Sequence, residues 1–119
     1  VVKVIPELKG KIEVFAVRVP VPVGSASDLA VVLNREVTPD EVNAAYKAAS
    51  VGAMRGVVDY AEDLLVSSDI IGNNHSTVFD PRYTKVTAGT MVKVFGWYDN
   101  EWGYSCRVVD LVEKVARYL

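Results

Sequence analysis

The chain has 119 residues, half of them apolar and 24% charged, a composition that fits one globular domain able to bury a core and argues against disorder. Thirteen basic against fifteen acidic residues leave a formal charge of −2, and no Lys/Arg run occurs, so a nucleic-acid partner has no electrostatic support. The single cysteine excludes an intrachain disulfide framework and suits a reducing compartment, and no apolar run is long enough to cross a bilayer, which makes the cytoplasm the expected location.

The opening segment, VVKVIPELKG, starts at Val1 rather than at Met and carries no capping residue, so the chain reads as a piece of a longer protein. Ile12 to Val21 predicts a strand, with Phe15, Val17, Val19 and Val21 on one face and Ile12, Val14, Ala16 and Arg18 on the other. Apolar residues on both faces predict an interior strand, interrupted only by Pro20 and Pro22, which cannot donate to a ladder. Gly24 to Ser27 reads as a turn. Leu29 to Asn34 reads as a second strand, antiparallel to the first in a hairpin.

The clearest local signal follows. Thr38 stands as N-cap, Pro39 at the first helical position and Glu41 three residues after the cap, which together make a capping box. Val37 and Val42 occupy the two staple positions that flank such a box. The helix is expected to run to about Ser50 and to end at Gly52, with Ala44, Ala45, Ala48 and Ala49 allowing close approach to a sheet. Gly56 to Tyr60, Leu64 to Ser67 and Thr77 to Phe79 are short candidate strands, and Gly72-Asn73-Asn74 is a turn. Met91 to Trp97 is a longer strand. A last helix is expected from near Asn100 to the end of the chain, with Val108, Val112, Val115 and Leu119 as its core stripe and Asp110–Lys114 and Glu113–Arg117 as ion pairs on its outer side. One unit with mixed strands and helices, α+β, is the expected class.

Arg18 ends an apolar strand, where a desolvated guanidinium needs a counter-charge. It is either a structural ion pair, with Asp28 across the hairpin as the natural partner, or a fixed fork for a phosphate or carboxylate. Trp97-Tyr98-Asp99-Asn100-Glu101-Trp102-Gly103-Tyr104 puts four aromatics and several short polar groups where a strand hands over to a helix, a frequent ligand position. Asn100 offers an acceptor and two donors, which suits a carboxamide, and Tyr104 can lay its ring on a flat heterocycle; equally, Asn100 can be only a helix cap and the aromatics only core.

Cys106 lies within the last helix with no histidine near it in sequence, so a small helix residue is the better reading than a thiolate nucleophile. His75 is the only histidine and falls in a Gly/Asn turn, so His and Cys cannot make a metal cluster, and a Cys106–His75 dyad would require the fold to join them. Neither a G-x-G-x-x-G fingerprint nor a P-loop is present, so the usual phosphate cradle for a dinucleotide is missing from these residues.

The stretches VIPELKGK, AVRVPVP, SDLAVVL, EVNAAYKAAS, LLVSSD and WYDNEWGYSCRVVDL, in this order from the first residues to the last, resemble the phosphorylating glyceraldehyde-3-phosphate dehydrogenases. The resemblance implies a mixed, mostly antiparallel sheet with helices packed on one face, forming residues 1–119 as the C-terminal part of the catalytic domain. A Rossmann domain and the segment with the cysteine nucleophile and its histidine partner would lie upstream, so no nucleophile is expected here. It further implies that the complete enzyme oxidises glyceraldehyde 3-phosphate with inorganic phosphate and NAD or NADP to 1,3-bisphosphoglycerate in glycolysis, as a tetramer in the cytoplasm. Position by position, Arg18 looks like the family's phosphate-binding arginine, Asn100 like the asparagine that bonds the nicotinamide carboxamide, Tyr104 like the tyrosine beside the nicotinamide, and Tyr98 like the tyrosine near the nucleophile.

Two departures touch subfamily assignment: Val23-Gly24 stands where many relatives carry Asn and a β-branched residue, and Cys106 where Asn is frequent. The sister erythrose-4-phosphate dehydrogenases resemble this region too, so the aldehyde stays open between them. A chain of this kind can also be read as an assembly or binding module without catalysis.

Overall fold

The computed structural model describes all 119 residues. Its sheet is built from β1 (Ser25–Val32), β2 (Val58–Tyr60), β3 (Thr77–Phe79), β4 (Lys85–Thr87) and β5 (Met91–Tyr98), with helices α1 (Pro39–Val51) and α2 (Trp102–Ala116). The strand order is β1-β5-β3-β2, and β4 pairs with β5 beside β3. All pairings are antiparallel except β2 with β3, so the sheet is mixed and mostly antiparallel, and the class is α+β.

β5 is the central strand because its residues are apolar on both faces. Val92 and Val94 are buried on one face with Val58, Phe79 and Val37, while Trp97 packs on the other beside Val78, Ile70 and Ala61. α1 covers the first face. Its start is the expected capping box: the Thr38 hydroxyl accepts from Glu41 N at 3.2 Å, and Thr38 N donates to the Glu41 carboxylate at 2.7 Å. Val37 is buried and Val42 packs on the same cluster, as a staple requires. The contact is made by bulk rather than by small residues, with Tyr46 stacked on Phe79 at 3.9 Å between ring centres. Ala44, Ala45 and Ala48 face solvent, which corrects the expectation that the alanine face meets the sheet.

Several other expectations are corrected. Ile12 to Val21 forms no strand; it is irregular, joins no ladder, and Phe15 is 92% exposed. The hairpin therefore does not exist, and β1 instead lies along the whole of β5, from Ser25 opposite Tyr98 to Val32 opposite Met91. The turn foreseen at Gly24 to Ser27 does not form there: the bend lies earlier, at Pro22 and Val23, and Ser25 already belongs to β1. Leu64 to Ser67 is irregular, because it lies within the connection that carries the chain from β2 to the parallel β3. The stripe of α2 is not covered: Val108, Val112, Val115 and Leu119 are exposed. The Asp110–Lys114 and Glu113–Arg117 pairs are replaced by one pair three residues apart, Arg107 Nε to Asp110 at 2.7 Å. β3 and β5 fall where expected, whereas the turn runs from Ser67 to Gly72, so that only Gly72 of the expected Gly72-Asn73-Asn74 belongs to it.

Candidate functional site at the β5–α2 corner

The chain leaves the sheet at Tyr98, passes Asp99 and Asn100, and enters α2 at Trp102. Asp99 is buried and makes this corner rigid. Its Oδ1 accepts from Glu101 N at 3.1 Å and from Trp102 N at 2.9 Å, and its Oδ2 accepts from Gly72 N at 2.9 Å. The first two bonds satisfy donors at the helix start, and the third pins the corner to the 72–76 loop. The hydrogen bonds from Gly72 N and then Trp102 N hold the Asp99 carboxyl below the ordinary carboxylate range. Glu101 stands at the N-cap position without a side-chain bond, and the side chain that satisfies the helix start is that of Asp99, which corrects the reading of Asn100 as cap.

The same loop locks the first turn of α2 from its other side. Trp102 Nε1 donates to Asn74 Oδ1 at 2.6 Å, and Arg107, one turn further along α2, donates through Nη1 to Asn74 O at 3.3 Å and to Gly56 O at 2.8 Å. Gly103 is buried because a Cβ there would stand 2.6 Å from the His75 carbonyl oxygen. Behind the corner, Asp80 is fully buried on Trp97 and Arg82. It accepts from Trp97 Nε1 at 3.0 Å and from Arg82 Nε at 2.7 Å. Burial pushes its carboxyl up, but the hydrogen bonds from Arg82 and Trp97 outweigh burial and hold it below its usual range.

On this frame Asn100 is exposed, and its one side-chain contact is Oδ1 accepting from the Ser25 hydroxyl at 3.3 Å. Its Nδ2 has both N–H groups without a partner in the chain. Tyr98, opposite Ser25 in the ladder, is half-buried, and Tyr104 is 71% exposed on the first turn of α2. Ser25, Tyr98, Asn100 and Tyr104 therefore gather around one end of the β1–β5 pair. Such an amide fits a carboxamide well: two free donors on a fixed backbone with an aromatic ring one helical turn on.

Arg18 is exposed on the irregular stretch that leads into β1 and forms no ion pair or hydrogen bond within the chain. The structural partner foreseen for it is taken, since Asp28 pairs with Lys93 at 2.8 Å across β1 and β5. Cys106 and His75 do not meet as a dyad: the Cys106 thiol is 3.7 Å from Asn74 Oδ1, while His75 Nδ1 lies 2.9 Å from Asn73 Oδ1 and 3.8 Å from Asp59. Sequence reasoning missed Ser25, hidden in what reads as a turn, and Asp99, although Asp ranks beside Asn as a cap and stands one residue earlier.

Residues 1–100 match the family model described as glyceraldehyde 3-phosphate dehydrogenase, C-terminal domain. The chain belongs to that family. Glyceraldehyde-3-phosphate dehydrogenase 2 of Streptomyces avermitilis is 56% identical over 116 residues, which are 98% of this chain and 35% of that protein. The glyceraldehyde-3-phosphate dehydrogenase of Streptomyces coelicolor is 57% identical over 117 residues, again 98% and 35%. Glyceraldehyde-3-phosphate dehydrogenase 2 of Bacillus subtilis is 54% identical over 113 residues, 95% of this chain and 33% of that protein. The chain spans about a third of the length of these glyceraldehyde-3-phosphate dehydrogenases. No helix is long and apolar enough to cross a membrane.

Proposed function

We propose that this chain is the later part of the catalytic domain of a phosphorylating glyceraldehyde-3-phosphate dehydrogenase that turns glyceraldehyde 3-phosphate, inorganic phosphate and NAD or NADP into 1,3-bisphosphoglycerate. The observation that carries the reading is Asn100: an exposed amide with both N–H groups free, on a backbone fixed by three hydrogen bonds to Asp99. In this reading Asn100 bonds the nicotinamide carboxamide and Tyr104 flanks the ring. Arg18, charged and unpaired, binds the phosphate of the substrate or the attacking phosphate. Tyr98 stands near the reacting thiol, which other segments supply. Those segments complete a homotetramer in the cytoplasm, and the cofactor, when bound, accepts the hydride.

The test is Arg18→Ala in the complete enzyme. Losing a bidentate charged contact is expected to raise KM for glyceraldehyde 3-phosphate or for phosphate by about tenfold or more, from about 1.5–3 kcal/mol per charged hydrogen bond. Unchanged KM values for both would overturn the assignment of Arg18.

A further inference from the structure

The amide of Asn100 can recognise a carbonyl oxygen only if its nitrogen, and not its oxygen, is turned to the ligand. An exposed amide turns freely unless a neighbour holds it, and holding it lowers the ordering cost of binding. The only side-chain hydrogen bond to either end comes from Ser25, whose hydroxyl donates to Oδ1 at 3.3 Å. We propose that Ser25 is a positioning residue for cofactor recognition: by hydrogen-bonding Asn100 Oδ1 it holds the amide in the rotamer that leaves both Nδ2 donors free for an acceptor, the carbonyl oxygen of the nicotinamide carboxamide. This rests on the cofactor reading of Asn100 given above.

Ser25 is itself placed with little freedom. It is the first residue of β1, paired with Tyr98, the last residue of β5, so ladder geometry fixes its backbone beside the strand end from which Asn100 springs. The residue before it, Gly24, holds φ at +103°, a conformation that L side chains rarely adopt. A Cβ at Gly24 would lie 2.9 Å from Ile70 Cδ1 and 3.1 Å from Ser67 O, and Ile70 is itself 1% exposed. The chain thus enters β1 through a glycine seated on the core. Ser25 is half-buried and Asn100 exposed, so the amide stays accessible to a ligand. A hydroxyl hydrogen-bonded to an otherwise exposed amide restricts its rotamers, so less conformational freedom is lost when Nδ2 donates to a ligand.

The experiment measures equilibrium binding of NAD and of its thionicotinamide analogue to the complete enzyme, with Ser25→Ala, Ser25→Thr, Asn100→Ala and the double variant Ser25→Ala/Asn100→Ala. The analogue replaces the carbonyl oxygen by sulfur, a weaker acceptor, so the ratio of the two dissociation constants reports the donated hydrogen bond and nothing about general stability. Ser25→Ala is expected to weaken NAD binding about fivefold, the worth of about 1 kcal/mol, and to shrink the preference for NAD over the analogue. Ser25→Thr, which keeps the hydroxyl and suits a strand, should restore both. In the Asn100→Ala background the Ser25→Ala change should have no further effect, because the group it positions is gone. If Asn100→Ala weakens NAD binding while Ser25→Ala leaves the ratio unchanged, or if the two effects simply add, the positioning role is overturned and the cofactor reading stands. If Asn100→Ala leaves NAD binding unchanged, the cofactor reading fails and the Ser25 role with it. Should Ser25→Ala fail to fold, Ser25→Cys, a weak donor of similar size, is the replacement; an analogue ratio equal to that of the unaltered enzyme overturns the role as before.

Discussion

Protonating Asp99 removes charge from three hydrogen bonds at once, two to the start of α2 and one to Gly72. Because these backbone donors depress its folded pKa, the unfolded chain takes up the proton first as pH falls. The stability that Asp99 contributes is fully present above the ordinary carboxylate value of about 3.9 and is lost as pH drops through the lower folded value. Asp80 is depressed in the same direction, so both act in the same acid window. Asp99→Asn should flatten the acid limb of an unfolding-free-energy profile measured by urea titration at several pH values. It keeps one oxygen but replaces the other by a donor that faces Gly72 N or the helix start, and its cost at neutral pH should be about 1–3 kcal/mol for the stranded N–H groups. An Asp99→Asn profile parallel to that of the unaltered protein would show that the linkage lies elsewhere.

At the scale of elements, α2 owes its position to a contact that tolerates no side chain. Gly103 sits one turn into the corner with the His75 carbonyl where a Cβ would be, and the obstacle is backbone that cannot rotate away. Gly103→Ala is therefore expected to push α2 off the 72–76 loop, costing about 1–3 kcal/mol by overpacking, and to weaken the Trp102–Asn74 hydrogen bond. Since Asn100 rides on the same corner, cofactor affinity should fall with stability, whereas Thr38→Ala, which removes the cap of α1, should cost about 1 kcal/mol without touching cofactor affinity. Thermal unfolding and cofactor titration of the two variants separate these outcomes; equal affinity in both would dissociate the corner from the site. The contrast between α1 and α2 also marks what the sequence reveals. The α1 start is written within Thr38, Pro39 and Glu41, all in reach of one another, and it forms as read. β3 and β5 are equally legible because their apolar, β-rich runs between turns each find a ladder partner in the sheet. Residues 12–21 are not, although their pattern is stronger, because apolar faces report a surface suited to burial while a strand exists only where a second segment offers a ladder. The partner of β1 is hidden for the same reason: pairing with β5 is non-local, and the nearer segment looks like the obvious mate. Of the site, Asn100 and Tyr104 can be singled out from a dense aromatic and polar run, but the Ser25 contact spans 75 positions and no local signal predicts it.

The molecule as a whole buries only 12 of its 119 residues, too few to hide the apolar surface its composition supplies. Part of what stays uncovered is concentrated in two stretches. Val14, Phe15, Val17 and Val19 make one apolar stretch before β1, and Val108, Leu111, Val112, Val115 and Tyr118 make another along α2. Exposed apolar patches of this kind mark surfaces that meet other polypeptide. With the proposed nucleophile and dinucleotide cradle outside these residues, the chain should bind a hydrophobic dye, scatter light as species larger than one copy, and show no NAD-dependent oxidation of glyceraldehyde 3-phosphate in the presence of phosphate. These readouts fail independently. Turnover by the chain alone would mean that a nucleophile resides within it, and Cys106, the single thiol, would be the group to test by substitution. A monodisperse monomer that ignores the dye would mean instead that the two stretches fold onto each other in solution, so that the chain closes its own core. Association without turnover is the outcome required if Arg18 and Asn100 are ligand contacts contributed to a cleft whose chemistry other segments complete.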